Sequence, residues 1–156
     1  MPVHKPIIGA ILRTAALVLL FAGAVIAGPP SPGRNGDDEI LMLRQKISSD
    51  PGDSAQLIRL GFLLLDKSAT DEALACFDRA LALNPRSGEA KTGKGIVLSR
   101  KGSLPEAVRV LKDALLLNPN PVRAHYELGR IYEQQGDAEK ALAEYKMGIV
   151  KHEQGR

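Results

Sequence analysis

At 156 residues the chain is long enough for one modest domain. Aromatic residues make up only 4% and Trp is absent, while Leu and Ala abound, which suits helices better than strands. Lys and Arg number 21 against 18 Asp and Glu, a net charge of +3 that is too small for a nucleic-acid-binding stripe, and the single cysteine, Cys76, excludes an internal disulfide or a multi-cysteine metal site.

Residues 1–27 read as a targeting segment. Their only charges, Lys5 and Arg13, are positive, and "TAALVLLFAGAVIAG" then runs uncharged from Thr14 to Gly28. That is about 22 Å of helix, short of the roughly 30 Å hydrocarbon core. A basic start, a short apolar centre and small residues at its end describe a secretory signal, with Val25-Ile26-Ala27 and Ala22-Gly23-Ala24 as cleavage sites. The other reading is an uncleaved membrane anchor from Ile7 to Gly28, embedding Arg13 at about 2.5–3.5 kcal/mol if it is held mid-bilayer. Length and flanks favour the signal. Membrane contact is expected only if residues 7–28 are retained. Both readings place the rest of the chain outside the cytoplasm, free in the periplasm or anchored at the inner membrane. Without Lys5 and Arg13 the chain carries 19 basic residues against 18 acidic, a net +1. Residues 28–36, "GPPSPGRNG", read as a flexible linker.

A helix is expected over 37–49, with Ile40, Leu43 and Ile47 facing inward. From residue 54 the chain falls into rows of 34: residues 54–87, 88–121 and 122–156. Pro51, Pro85 and Pro119 share one column, Gly61, Gly95 and Gly129 a second, and Ala73, Ala107 and Ala141 a third. Phe77, Leu111 and Tyr145 share a fourth, and Ala80, Ala114 and Gly148 a fifth. A period this regular marks stacked supersecondary units. Each row reads as two antiparallel helices, the first carrying the glycine and the second the alanine 12 residues later. Glycine opposite alanine is expected to let the helices approach, with the Phe77 column filling the gap one turn on. Each proline stops a second helix. Gly102 and Gly136 are placed to end first helices. Ser103 and Glu106 form a potential capping box, and Asn120 is a potential N-cap before Pro121.

The segment "LGRIYEQQGDAEKALAEYKMGI" from Leu128, the two Asn-Pro endings and the columns resemble the tetratricopeptide repeat family over residues 54 to about 151. The resemblance implies an all-α fold: a right-handed α-solenoid of antiparallel helix pairs, here with residues 37–49 as an N-terminal capping helix. It also implies that a protein or peptide partner binds on the concave face lined by the first helices. Carried over by column, that face comprises Ile58, Phe62, Leu65, Thr92, Ile96, Ser99, Tyr126, Arg130 and Glu133. Ile58, Phe62 and Leu65 form a second apolar stripe on their helix, open to a partner or covered by the 37–49 helix. The sequence departs from the family pattern at Leu57, Lys91 and His125, where Trp is favoured, and at Lys94, which takes a core leucine position beside Gly93. Lys94 is expected to carry its ammonium to water over a buried stem. No solvating helix is expected after the third row, leaving Tyr145 and Ile149 less covered than their counterparts.

Other chemistry finds little support. "GEAKTGKG", from Gly88, is a near miss for a phosphate loop, but Gly95 takes the place of the Ser/Thr and no strand precedes it. His4, His125 and His152 are too dispersed for a metal site. No Ser-His-Asp grouping or paired-carboxylate motif stands out. The expectation is a protein that is not an enzyme, needs no cofactor or metal, binds no nucleic acid and acts as an exported adaptor. The alternative is a structural subunit of an envelope complex that self-associates around Tyr145 and Ile149.

Overall fold

A computed structural model describes residues 35–155. The targeting segment expected over 1–27 and the linker up to residue 34 lie outside the described residues. The described chain forms seven helices and no strand: α1 (Asn35–Ser49), α2 (Ser54–Asp66), α3 (Thr70–Leu83), α4 (Gly88–Arg100), α5 (Leu104–Leu117), α6 (Val122–Gln134) and α7 (Ala138–Gln154). None of them is long and apolar enough to cross a membrane. Helix α1 starts two residues before the expected 37, so Asn35 and Gly36 are helix rather than linker. Asp37 and Asp38 in its first turn favour the helix dipole, and Lys67 anchors Asp37 at 2.7 Å.

The closest packing is within the pairs α2/α3, α4/α5 and α6/α7. Each second helix also touches the next first helix, and first helices touch one another across rows. Second helices do not, so the stack is an α-solenoid with the first helices on its inner side. Helix α1 contacts α2 as a preceding second helix would. Its Leu43 and Ile47 join the core while Ile40 packs partly against it. Arg44–Glu72 at 2.6 Å and Arg59–Glu39 tie it down at the surface, each worth at most about 1 kcal/mol.

The glycine column packs differently from the expected Gly–Ala contact. A Cβ on Gly61 would stand 2.7 Å from the Phe77 ring, one on Gly95 2.5 Å from Leu111, and one on Gly129 2.5 Å from Tyr145. Each glycine is therefore a seat for the large side chain of its second helix, because a bare backbone lets a ring or isobutyl group lie flat on the first helix. Phe77 has two seats. A Cβ on Gly93 would come within 2.2 Å of the same ring. Gly88 lies against the backbone of Leu117 and Asn118. All three glycines of α4 thus serve packing, and the segment resembling a phosphate loop is helical from Gly88. They cost this helix about 1 kcal/mol each relative to alanine, which the buried Ala90, Ile96 and Val97 offset. Lys94 behaves as expected, its ammonium reaching Asp78 at 2.8 Å. His125 is buried with Nδ1 2.8 Å from the Glu144 carboxylate, a polar pair where the family favours Trp.

The helix ends hold two departures. Ser103 caps α5 without a side-chain hydrogen bond, and Pro105 has already removed one donor that a cap would satisfy. Pro121, not Asn120, is the N-cap of α6. Gly102 and Gly136 do end first helices, at φ 81° and 79°, and Ser68 holds the same column at φ 62°. A side chain is strained there. Ser68→Gly should raise stability by about 0.5 kcal/mol in urea denaturation, the relief of strain exceeding the added unfolded-state entropy.

Two helices begin on aspartates that respond to acid. Asp53 accepts from Gln56 Nε2 at 2.7 Å and from the amides of Gln56 and Ala55 at 3.2 and 2.9 Å, which together hold its carboxyl below the usual range. The Lys140 side chain and amide do the same for Asp137. A carboxyl whose folded pKa is depressed stabilises the fold above its unfolded value, and that contribution vanishes as pH falls through the folded value. Thermal melts should therefore lose midpoint below about pH 4, and Asp53→Asn with Asp137→Asn should flatten that loss.

Candidate binding groove

Where the inner face of α2 comes beside the N-terminal turns of α4 and α6, they enclose a groove of about 860 Å³. Four of the nine residues placed on this face by column meet there: Ile58, Phe62, Thr92 and Tyr126. Ile58 is buried in its floor. Phe62 is half-buried, its ring edge-on to Phe77 with centroids 5.1 Å apart. Helix α1 packs behind α2 and leaves this part of the stripe open to the groove. Thr92 is 1% exposed, and its hydroxyl donates to the Gly88 carbonyl at 2.8 Å, so it contributes shape rather than a free hydroxyl. Tyr126 is 42% exposed and leans on Tyr145 at 5.9 Å.

The other five lie outside the groove. Leu65 is buried, and its carbonyl accepts from Arg100 Nη1 at 2.6 Å. Ile96 is buried and Ser99 half-buried. Arg130 donates to Glu127 at 3.1 Å, and Glu133 accepts from the Tyr145 hydroxyl at 2.8 Å. Burial of that phenol, followed by its bond to Glu133, pushes it above its ordinary range. For three of the five the separation is along the helix axis, whereas Ile96 and Arg130 share the column of Phe62 and are left out because the groove follows α2 farther than it follows α4 and α6. The Leu65, Ser99 and Glu133 column lies seven residues beyond the Ile58 column, about 10 Å along each helix.

Column reading missed Arg123, whose guanidinium lies 4.1 Å over the Phe62 ring. This contact joins the third pair to the first across the groove. Glu89 shares its column. Asn84, Asn118 and His152 form a further lining column; the sequence displays the first two only as helix stops, while His152 lies within α7. The first two fold locally, their carbonyl oxygens accepting from Arg86 and Asn120 amides. The groove's charges balance, with Arg59 and Arg123 against Asp66 and Glu89. Its chemistry is therefore an apolar floor with a polar, amide-rich rim. Among the described residues no group of three or more His, Cys, Asp or Glu is placed to hold a metal ion. Cys76 lies elsewhere, and burial pushes its thiol upward, so it is a packing residue rather than a nucleophile.

A tetratricopeptide repeat profile matches residues 58–115 and 94–154. No curated protein matches the sequence. Among solved structures, a crystal structure of MamA superposes with a TM-score of 0.62 at 23% identity, covering 77% of this chain and 70% of that one. A second, MamA MSR-1 C2, gives 0.58 at 25%, covering 78% and 70%. These likenesses are to the fold.

Proposed function

We propose that this chain, which belongs to the tetratricopeptide repeat family, is a protein-interaction adaptor that works outside the cytoplasm and takes a partner segment in the groove of α2, α4 and α6. The observation that carries the reading is the platform of Phe62 under Arg123, with Ile58 beneath and Tyr126 opposite. Such a surface offers one apolar anchor point ringed by hydrogen-bonding groups. Peptide affinity of this kind comes from a few buried anchors rather than from total area. The basic, then apolar, residues 1–27 support export, either as a signal or as an anchor. A photoreactive residue at Tyr126 tests the groove in native envelopes. It should capture a discrete partner, whereas the same probe at Leu116 on α5, 86% exposed and away from the groove, should not. Equal capture from both positions would overturn the assignment.

A second reading is favoured by a separate observation. In the first two rows the columns of Leu142 and Ile149 hold Leu74, Leu81, Val108 and Leu115, all partly buried against the core. In the third row they are 54% and 48% exposed. An apolar face of this kind suits a self-associating structural subunit.

A further inference from the structure

The exposed face of α7 carries Glu139, Leu142 and Lys146 at i, i+3 and i+7. Its counterpart on α3 is Asp71, Leu74 and Asp78, which meets α4 through ion pairs with Lys101 at 2.7 Å and Lys94 at 2.8 Å. At the α3–α4 junction, then, this column set takes an element with a base at each end, whereas α5 offers Pro105, Val108 and an unpaired Lys112 there. On α7 the second charge is reversed. An element complementary in charge to this face of α7 brings a base to Glu139 and an acid to Lys146, with an apolar residue between. Running antiparallel, that reads acid, apolar, base from N- to C-terminus.

Helix α1 presents this order on its own outer face: Asp38, Met42 and Lys46. Leu41 and Met42 there are 64% and 60% exposed. Neither Asp38 nor Lys46 makes an ion pair, and neither do Glu139 or Lys146, although the described residues form ten ion pairs. Lys140, beside Glu139, is already taken by Asp137. In one antiparallel register Met42 meets Leu142, Asp38 meets Lys146 and Lys46 meets Glu139. The charge spans agree, at about 12 Å and about 10.5 Å of helix.

We propose that α1 of one copy docks antiparallel on α7 of the next. The proposal rests on the self-association reading and names its surfaces. Because α1 and α7 are different patches, the contact is heterologous, so every junction leaves one free α1 and one free α7 and the assembly can grow. One helix pair falls short of the roughly 1,600 Å² of a standard stable interface, so assembly should depend on concentration. An antiparallel pairing of α7 with itself would also oppose Glu139 and Lys146, but it would leave Leu41 and Met42 uncovered.

Sedimentation of the full chain, from micromolar to near-millimolar concentration, tests this. The wild type should grow beyond a dimer. Met42→Glu and Leu142→Glu, both at exposed positions, should each stay monomeric with unchanged helicity. Their equimolar mixture should form a dimer that grows no further, one variant supplying α7 and the other α1. Lys146→Glu should weaken assembly by about tenfold, and mixing it with Asp38→Lys should restore one junction. A monomeric wild type would defeat both this contact and self-association. Association that survives both glutamate variants, dimers of Met42→Glu alone, or a mixture that stays monomeric would defeat this contact and leave self-association standing.

Discussion

Phe77→Ala is expected to destabilise the repeat domain by about 3–5 kcal/mol, the largest single effect in the molecule. The ring is fully buried, and it fills a space bounded by Gly61, Gly93 and the edge of Phe62. Two of those three walls are bare backbone, so no side chain can swing in and the vacated volume remains a cavity. Against a total stability of roughly 5–15 kcal/mol, the urea midpoint should fall by about a fifth or more. Leu111→Ala should cost less because its glycine seat is Gly95 alone, and Tyr145→Ala least because that ring is only half-buried. The converse substitution reverses the ordinary helix rule. Gly93→Ala should gain about 1 kcal/mol from propensity but lose about 1–3 kcal/mol to overpacking against the Phe77 ring. A Gly93→Ala variant more stable than wild type would show that the seat is not occupied.

The second large effect concerns the groove. Arg123→Ala should lower affinity for the partner captured from position 126 by about tenfold or more, as expected for loss of a central anchor. It should leave stability within about 1 kcal/mol, since Arg123 is exposed and its contact with Phe62 is a surface cation–π pair. Phe62→Ala should weaken binding as much, but at a stability cost of about 1–3 kcal/mol, because it also removes the edge contact with Phe77. Tyr126→Ala should follow Arg123→Ala in binding. Leu116→Ala should change neither property. Wild-type affinity in both Arg123→Ala and Tyr126→Ala would exclude the groove as the docking site.

The 34-residue period made the helix pairs and their order legible, because covalent spacing alone sets which residues recur in each unit. It did not reveal how far each helix turns about its own axis. That rotation decides whether Gly61 meets Ala73 or the Phe77 ring, and a column records only that both recur. The groove suffered from the same limit. Ile58, Thr92 and Tyr126 converge because they lie in the first turns of their helices, and Phe62, a turn farther along α2, joins them where Arg123 covers its ring. Leu65, Ser99 and Glu133 share the inner side but sit two turns farther on. Arg123 and His152 were hidden because their columns change chemical type from row to row: Ala55 and Glu89 precede the one, Asn84 and Asn118 the other. The reversed charge at Lys146 was visible in the sequence, but its meaning came only from the ion pairs that Asp71 and Asp78 make two repeats earlier.

The claim beneath all of this is that large second-helix side chains rest on bare glycine backbone, which fixes the stack and so the groove on its inner side. Proton NMR of the folded domain tests it through nuclear Overhauser contacts. The account predicts strong cross-peaks from the Phe77 ring protons to the α-protons of both Gly61 and Gly93, with those α-protons shifted by the ring current. Phe77 ring contacts to neither glycine, with both α-protons at random-coil shifts, would contradict it.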